Sequence, residues 1–243
     1  MNTLKIWFIA ARPWSFTGTL MPGLVGSFLA AAEGYFQFWP FLLAVAGGVL
    51  AQGATNYLNT YGDYMSGVDT VESAVTCGQL VSGLLKPKPM RNLGIFILGI
   101  VILIGLVLCL VSGWRLLFAG LFGVFGVAFY TSIKPYKYIG LGSIAVFLFM
   151  GPVITLGAYF VQTSAYSWSA LLASLPVGLL AGAITHGNEI RDIEYDRSAG
   201  IITIPMKIGR SKAYTVYYAV NILAFVLVIL LAVCAMPDSA DNA

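Results

Sequence analysis

The chain is poor in charge. Asp, Glu, Lys and Arg together make up 9% of its 243 residues, and histidine occurs once. A soluble domain carries about 25% charged residues, so a water-soluble globule is excluded. Hydrophobic residues reach 59%, which excludes intrinsic disorder, because disordered chains are short of apolar side chains. No Cys-x-x-Cys pair occurs. Cys77, Cys109 and Cys234 are odd in number and far apart, which predicts free thiols and no metal–sulfur site. There is no basic stripe with interleaved aromatics, so the net charge of +3 gives no reason to expect nucleic acid as a partner. β-Barrels alternate polarity and never produce long apolar runs.

Long apolar runs are what the chain does contain. Seven candidate membrane helices lie at about 14–32, 39–59, 93–111, 115–131, 139–161, 168–186 and 214–236. This predicts an all-α polytopic membrane protein, a helical bundle or barrel of about seven spans. Trp14, Trp39, Trp114 and Trp168 fall near predicted helix ends, where an amphipathic ring prefers to sit. Lys5 and Arg12 before an apolar stretch ending in Ala30-Ala31-Ala32 mimic a secretory signal, but Pro13 and Pro22 interrupt it. The stretch reads as the first membrane helix. The links after helices two and six, 60–92 and 187–213, are long and polar.

Twelve of the thirteen basic residues fall on the side shared by the N-terminus and the even-numbered helix ends. Only Arg115 falls on the other. By the positive-inside bias, the N-terminus and both long links are cytoplasmic and the C-terminus lies outside. A bacterial inner membrane is the expected location.

The ten carboxylates are clustered. Asp63, Asp69 and Glu72 share one ten-residue window, and Glu189, Asp192, Glu194 and Asp196 one of eight. Even spreading would put about 0.7 acids in those positions. Asn56, Asn59 and Asp63 stand at i, i+3 and i+7, and Asn188, Asp192 and Asp196 at i, i+4 and i+8, in each case one face of a continuing helix. Two such faces at one membrane surface would repel unless a hard cation relieved them. Mg²⁺ suits the task, taking one or two carboxylates and leaving other positions to water and phosphate oxygens. Plainer readings stand beside this one. Glu72, Glu189 and Glu194 suit solvated loops, and Arg191 and Arg197 suit surface ion pairs. Asn56 and Asn59 suit interhelical hydrogen bonding, and His186 a packed polar position.

The pair Asn59-x3-Asp63-x5-Asp69 and Asn188-x3-Asp192-x3-Asp196 resembles the two aspartate-rich motifs of the UbiA superfamily of intramembrane prenyltransferases. Ala11-Arg12-Pro13-Trp14, Tyr61-Gly62-Asp63, Arg191-Asp192-Ile193-Glu194 and Gly200-x2-Thr203 fit as well. Tyr138-x-Gly140-Leu141-Gly142, Phe149-x-Gly151 and the stretch from Leu156 to Gln162 are similar to the branch that prenylates 1,4-dihydroxy-2-naphthoate on the way to menaquinone. The resemblance implies Mg²⁺ held between the motifs, gripping the diphosphate of a polyprenyl diphosphate whose prenyl group passes to an aromatic acceptor. It implies Asn59, Asp63, Asp69, Asn188, Asp192 and Asp196 as metal ligands, with Asp63 and Asp192 essential for catalysis. Arg191, Arg197 and Lys134 are expected at the diphosphate, and Tyr130, Asn56 and Tyr61 in the substrate cavity. Tyr57 and Tyr159 are further candidates to face a prenyl cation.

The chain also departs from the pattern. Family members of this kind usually have nine helices, so 1–243 reads as a single prenyltransferase domain two helices short. Thr60 stands where the first motif often carries aspartate. The stretch 70–85 lacks an arginine many relatives use against the diphosphate, and Ile201 replaces a common lysine. Other outcomes to separate are a 4-hydroxybenzoate acceptor, an intramembrane terpene cyclase, a cation transporter and an inactive relative. Against transport, no carboxylate lies at the centre of any predicted span.

Overall fold

The computed structural model describes residues 2–69, 78–131 and 139–235, with the side chains of all of these except 127–131 and 235. Among them every regular element is helical apart from one isolated parallel bridge, Ile139 to Ile202. The chain begins with α1 (Thr3–Ala10), capped by the Asn2 side-chain oxygen, which accepts the Leu4 N–H at 3.2 Å. A residue preceding proline is disfavoured in helix, and α1 stops short of Pro13. The chain turns at Arg12 and re-enters helix through a 3₁₀ turn, Pro13–Phe16, into α2 (Thr17–Ala32). Then come α3 (Phe38–Met65), α4 (Pro87–Ser112) and α5 (Leu116–Thr131). One longer rod follows, made of α6 (Gly142–Leu148), a π turn (Phe149–Val153) and α7 (Ile154–Thr163). Pro152 lies in the π turn, where its missing N–H removes a helical bond and the ladder shifts register. The chain ends with α8 (Trp168–Arg191), the short α9 (Ile193–Ser198) and α10 (Ile204–Ile208), and α11 (Arg210–Ala235).

Six helical segments among the described residues are long and apolar enough to cross a membrane: Thr3–Ala32, Phe38–Met65, Pro87–Ser112, Gly142–Thr163, Trp168–Arg191 and Arg210–Cys234. The expected seventh, α5, is apolar but has 16 residues, about 24 Å of helix against a hydrocarbon core of about 30 Å. Hydropathy also placed two helix ends too early. α3 runs on to Met65 and α8 to Arg191, because a helix continues past the lipid boundary where polar side chains take over.

The packing depends on small residues, which let helix backbones approach closely inside a membrane. α2 lies against α7, α3 against α4, and α8 against both α6 and α11. A Cβ on Gly26 of α2 would stand 2.2 Å from the Thr155 carbonyl oxygen of α7. One on Gly151 would stand 2.6 Å from Gly178 Cα. The outward face of α11 is a row of exposed apolar side chains, including Ile222, Phe225, Ile229 and Val233, as a lipid-facing helix requires.

Interhelical bonds at one end set the direction of the whole bundle. The Gln37 N–H, just before α3, donates to Gln162 Oε1 near the end of α7 at 2.7 Å. Glu33, just after α2, accepts from the Tyr159 hydroxyl and, at 3.3 Å, from Ser169 at the start of α8. α3 and α8 therefore start on the same side and run parallel, so their C-terminal ends emerge together on the opposite side.

Candidate active site

The first acidic face lies on unbroken helix. Asn59 and Asp63 are both within α3, and Asp63 is only 8% exposed. The Asp63 carbonyl collects the Ser66 hydroxyl at 3.1 Å and the N–H groups of Val68 and Asp69 at 3.0 and 3.2 Å. That closure folds the chain back after α3, so Asp69 stays at the same end as Asp63. Asn59, Asp63 and Asp69 all have interaction partners.

The second face is jointed. α8 ends at Arg191, Asp192 sits at φ −94°, ψ 10°, and α9 resumes at Ile193. The expected continuous helix is thus bent at Asp192. The i to i+4 bonds survive the bend, from Asp192 N–H to the Asn188 carbonyl and from Asp196 N–H to the Asp192 carbonyl, both at 2.9 Å. Asn188 is exposed, and Asp192 and Asp196 are half-buried. Arg191 grips Asp192 with two bonds of 2.7 Å, and Arg197 pairs with Glu194 at 3.2 Å. Both expected diphosphate-binding arginines therefore engage acids of their own segment.

Two of the expected cavity residues, Asn56 and Tyr61, and the two further tyrosines Tyr57 and Tyr159 make the following contacts. Asn56 donates to the Ala11 carbonyl at 2.7 Å and to Ser15 Oγ at 2.8 Å, tying α3 to the turn after α1. Tyr57 is buried, packs edge-on against Trp7 and donates to the Trp7 carbonyl at 2.9 Å. Tyr61 lies two residues from Asp63, hence about 160° around the helix, and its ring sits under the Arg91 guanidinium of α4 at 5.9 Å. Tyr159 belongs to the opposite end of the bundle, where it binds Glu33. It lies 17 residues beyond Gly142, about 25 Å along the rod. The Tyr130 side chain, Lys134, Glu72 and Cys77 lie outside the described residues.

Other residues build this end of the bundle without having stood out in the sequence. Gln52 lies one turn before Asn56, accepts from Thr19 at 2.9 Å and donates to Ser15 at 3.3 Å. A glutamine inside an apolar span was the available signal, since polar groups there are costly unless they are used. Lys207 donates to the Ile139 carbonyl at 3.2 Å beside the Ile139–Ile202 bridge, clipping the segment before α6 to the one after α9. His186 is buried and bonded to the Ala213 carbonyl at 3.1 Å, which agrees with a packed polar position. A groove of about 210 Å³ beside it, between α6, α8 and α11, is lined by apolar side chains such as Phe147, Leu179 and Val220.

Among the described residues, no three His, Cys, Asp or Glu side chains form a ready-made metal cage. Mg²⁺ does not require one, because one or two carboxylates suffice when phosphate and water oxygens complete the shell. The Asn and Asp donors at these two helix ends are all oxygens, so the set fits a hard cation.

The profile of the UbiA prenyltransferase family matches residues 19–239. A 1,4-dihydroxy-2-naphthoate octaprenyltransferase from Bacillus subtilis is 33% identical over 226 residues, 93% of this chain and 73% of that protein. The chicken UbiA prenyltransferase domain-containing protein 1 is 36% identical, over 93% of this chain and 68% of its own length. The mouse protein is 34% identical, with 65% of its length spanned. Among solved structures, a UbiA homolog from Archaeoglobus fulgidus bound to GPP and Mg²⁺ superposes with a TM-score of 0.72 at 15% identity, covering 96% of this chain and 80% of that one. An apo UbiA homolog from Aeropyrum pernix gives 0.69 at 21% identity, covering 89% and 78%. The helical architecture, the paired acidic helix ends and the match along most of the chain lead to one statement: the chain belongs to the UbiA prenyltransferase family.

Proposed function

We propose that this chain transfers a polyprenyl group from an allylic polyprenyl diphosphate to 1,4-dihydroxy-2-naphthoate, a step of menaquinone biosynthesis. The observation that carries the reading is the parallel course of α3 and α8, which brings Asp63 and Asp192 out on one side of the bundle. The likeness to the Bacillus naphthoate enzyme supports the acceptor, and the solved relative with GPP and Mg²⁺ supports the donor and the metal. That side of the bundle is the cytoplasmic one in this reading, since the sequence assigns twelve of the thirteen basic residues to the side of the N-terminus and the two long links. Residues 1–243 then act as one prenyltransferase domain.

Asn59, Asp63, Asp69, Asn188, Asp192 and Asp196 would hold Mg²⁺. The bound ions would supply positive charge where the diphosphate leaves. Heterolysis of the allylic C–O bond sends an electron pair to the diphosphate and leaves a prenyl cation. Arg191, Arg197 and Lys134 would add charge-assisted hydrogen bonds to the departing oxygens. For Arg191 this means giving up its bidentate hold on Asp192, an exchange of one anion for another. The apolar helix faces exclude water, which would otherwise capture the cation. The electron-rich ring of the acceptor then attacks C1 of the prenyl group and forms the carbon–carbon bond. The ring regains aromaticity as the attacked carbon gives up the group it carried, a proton or the carboxylate as CO₂, whose bonding pair returns to the ring. The prenyl chain is soluble only in lipid, so a site at the ends of membrane helices suits the reaction.

Membranes holding the chain, supplied with radiolabelled prenyl diphosphate, Mg²⁺ and each acceptor in turn, test the proposal. A prenylated product is expected with 1,4-dihydroxy-2-naphthoate. Product only with 4-hydroxybenzoate would move the acceptor to another branch. Cyclised prenyl product without acceptor would mark a terpene cyclase. Ion flux without transfer would mark a transporter.

A further inference from the structure

The turn at residues 11–15 is held more firmly than a link between two helices requires. The Arg12 N–H donates to the Ile9 carbonyl at 2.9 Å, and the Arg12 carbonyl accepts both the N–H and the hydroxyl of Ser15 at 2.8 Å. From α3, Asn56 reaches the Ala11 carbonyl and Ser15 Oγ, one on each side of Arg12. Arg12 itself sits in the left-handed region, φ 53°, ψ 61°, where a side chain other than glycine is uncommon. It cannot leave that conformation without breaking bonds on both flanks. The result is an aimed side chain: Arg12 donates from a terminal guanidinium nitrogen to Thr60 Oγ1 at 3.0 Å.

Thr60 is fully buried and stands three residues before Asp63, about 4.5 Å along the helix and on the same polar stripe as Asn56 and Asn59. The chemistry of this contact matters. A hydroxyl accepts a hydrogen bond but neutralises no charge. Among the described residues Arg12 makes no ion pair, and its Nε–H is buried without an acceptor. Arg191 and Arg197, by contrast, are paired with Asp192 and Glu194. A guanidinium is always charged, and its planar fork matches phosphate oxygens in pairs.

We propose that Arg12 binds the diphosphate of the prenyl donor, and that Thr60 keeps its charge available because position 60 offers a hydroxyl rather than a carboxylate. The Arg12–Thr60 pair then supplies, from the N-terminal turn, cationic contact at the first acidic face. This rests on the prenyltransfer reading, and the test separates the two.

The probe is geranyl thiolodiphosphate, which resists ionisation. Its equilibrium binding to purified full-length chain in Mg²⁺ is measured for the parent, R12Q, R12K, T60D and R12Q/T60D, with D63A and D192A beside them. R12Q is expected to weaken binding about tenfold, with R12K recovering part of the loss. T60D, which retains Arg12 but neutralises it, is expected to weaken binding by a similar factor and to add nothing in the R12Q background. Parent-like binding by R12Q overturns the proposal. So does a T60D that binds more tightly or needs less Mg²⁺, since position 60 would then act as a metal ligand. An equal loss from T60D with and without Arg12 also overturns it, as simple repulsion of the diphosphate. If R12Q does not fold, T60D against T60N decides, because both retain Arg12: similar binding by the two overturns the proposal. Parent-like binding by D63A and D192A would instead sink the acidic-end reading itself, whatever Arg12 does.

Discussion

The two acidic helix ends are built in different ways. The first stands on an uninterrupted helix, with Asp63 buried and the chain on either side of it bound back by Asn56, Ser66 and the Asp63 carbonyl. The second bends at Asp192, exposes Asn188, and closes its arginines onto neighbouring acids. One wall of the candidate site is therefore fixed by buried, cross-helix hydrogen bonds. The other is held by local ion pairs that a stronger anion or a cation can exchange. Asp192 and Glu194 are paired with arginines of their own segment, while Asp63 is buried within its helix.

The largest expected effect removes either wall. D63A and D192A should each lower prenyl transfer about a thousandfold or more, as loss of charge stabilisation at the departing group predicts, with protein levels in the membrane unchanged. Transfer at the parent rate by D63A would show that the buried wall is scaffold only. Next in size is N56A, which leaves the Ala11 carbonyl without its side-chain donor and frees the turn at Arg12. It should cost about 1–3 kcal/mol, read as a lower unfolding midpoint in detergent. An unchanged midpoint would make the first wall no more rigid than the second. Smallest is E194Q. Glu194 and Arg197 are 70% and 63% exposed, and pairs of that kind contribute about 0–1 kcal/mol. Its unfolding midpoint should stay within error of the parent, and a drop as large as that of N56A would erase the contrast.

Much of this was legible in the chain. Hydropathy found all seven apolar segments, although α5 proves short, and helical periodicity placed Asn59 with Asp63 and Asn188 with Asp192 on shared faces. What periodicity cannot supply is the neighbour each face meets. In a membrane the lipid-facing and protein-facing sides of a helix are both apolar, so Asn56 and Tyr57, adjacent and 100° apart, carry no label for their destinations. Both turn out to meet the N-terminal segment, through contacts 45 and 50 residues distant. Tyr159 stands in the sequence as one of several tyrosines that could face a prenyl cation or simply pack. Being aromatic suggests a cation partner, but only the tertiary bonds to Glu33 reveal that it lies at the far end of the bundle. The bend at Asp192 left no sequence signal, since no proline or glycine marks it.

The central claim is that the ends of α3 and α9 emerge together on one membrane surface. Single cysteines at Ser66 and Ser198, in a chain whose Cys77, Cys109 and Cys234 are replaced by serine, can be labelled with a membrane-impermeant maleimide in vesicles of known orientation. Both should react from the same side. Reaction of one from the inside and the other from the outside would contradict the account.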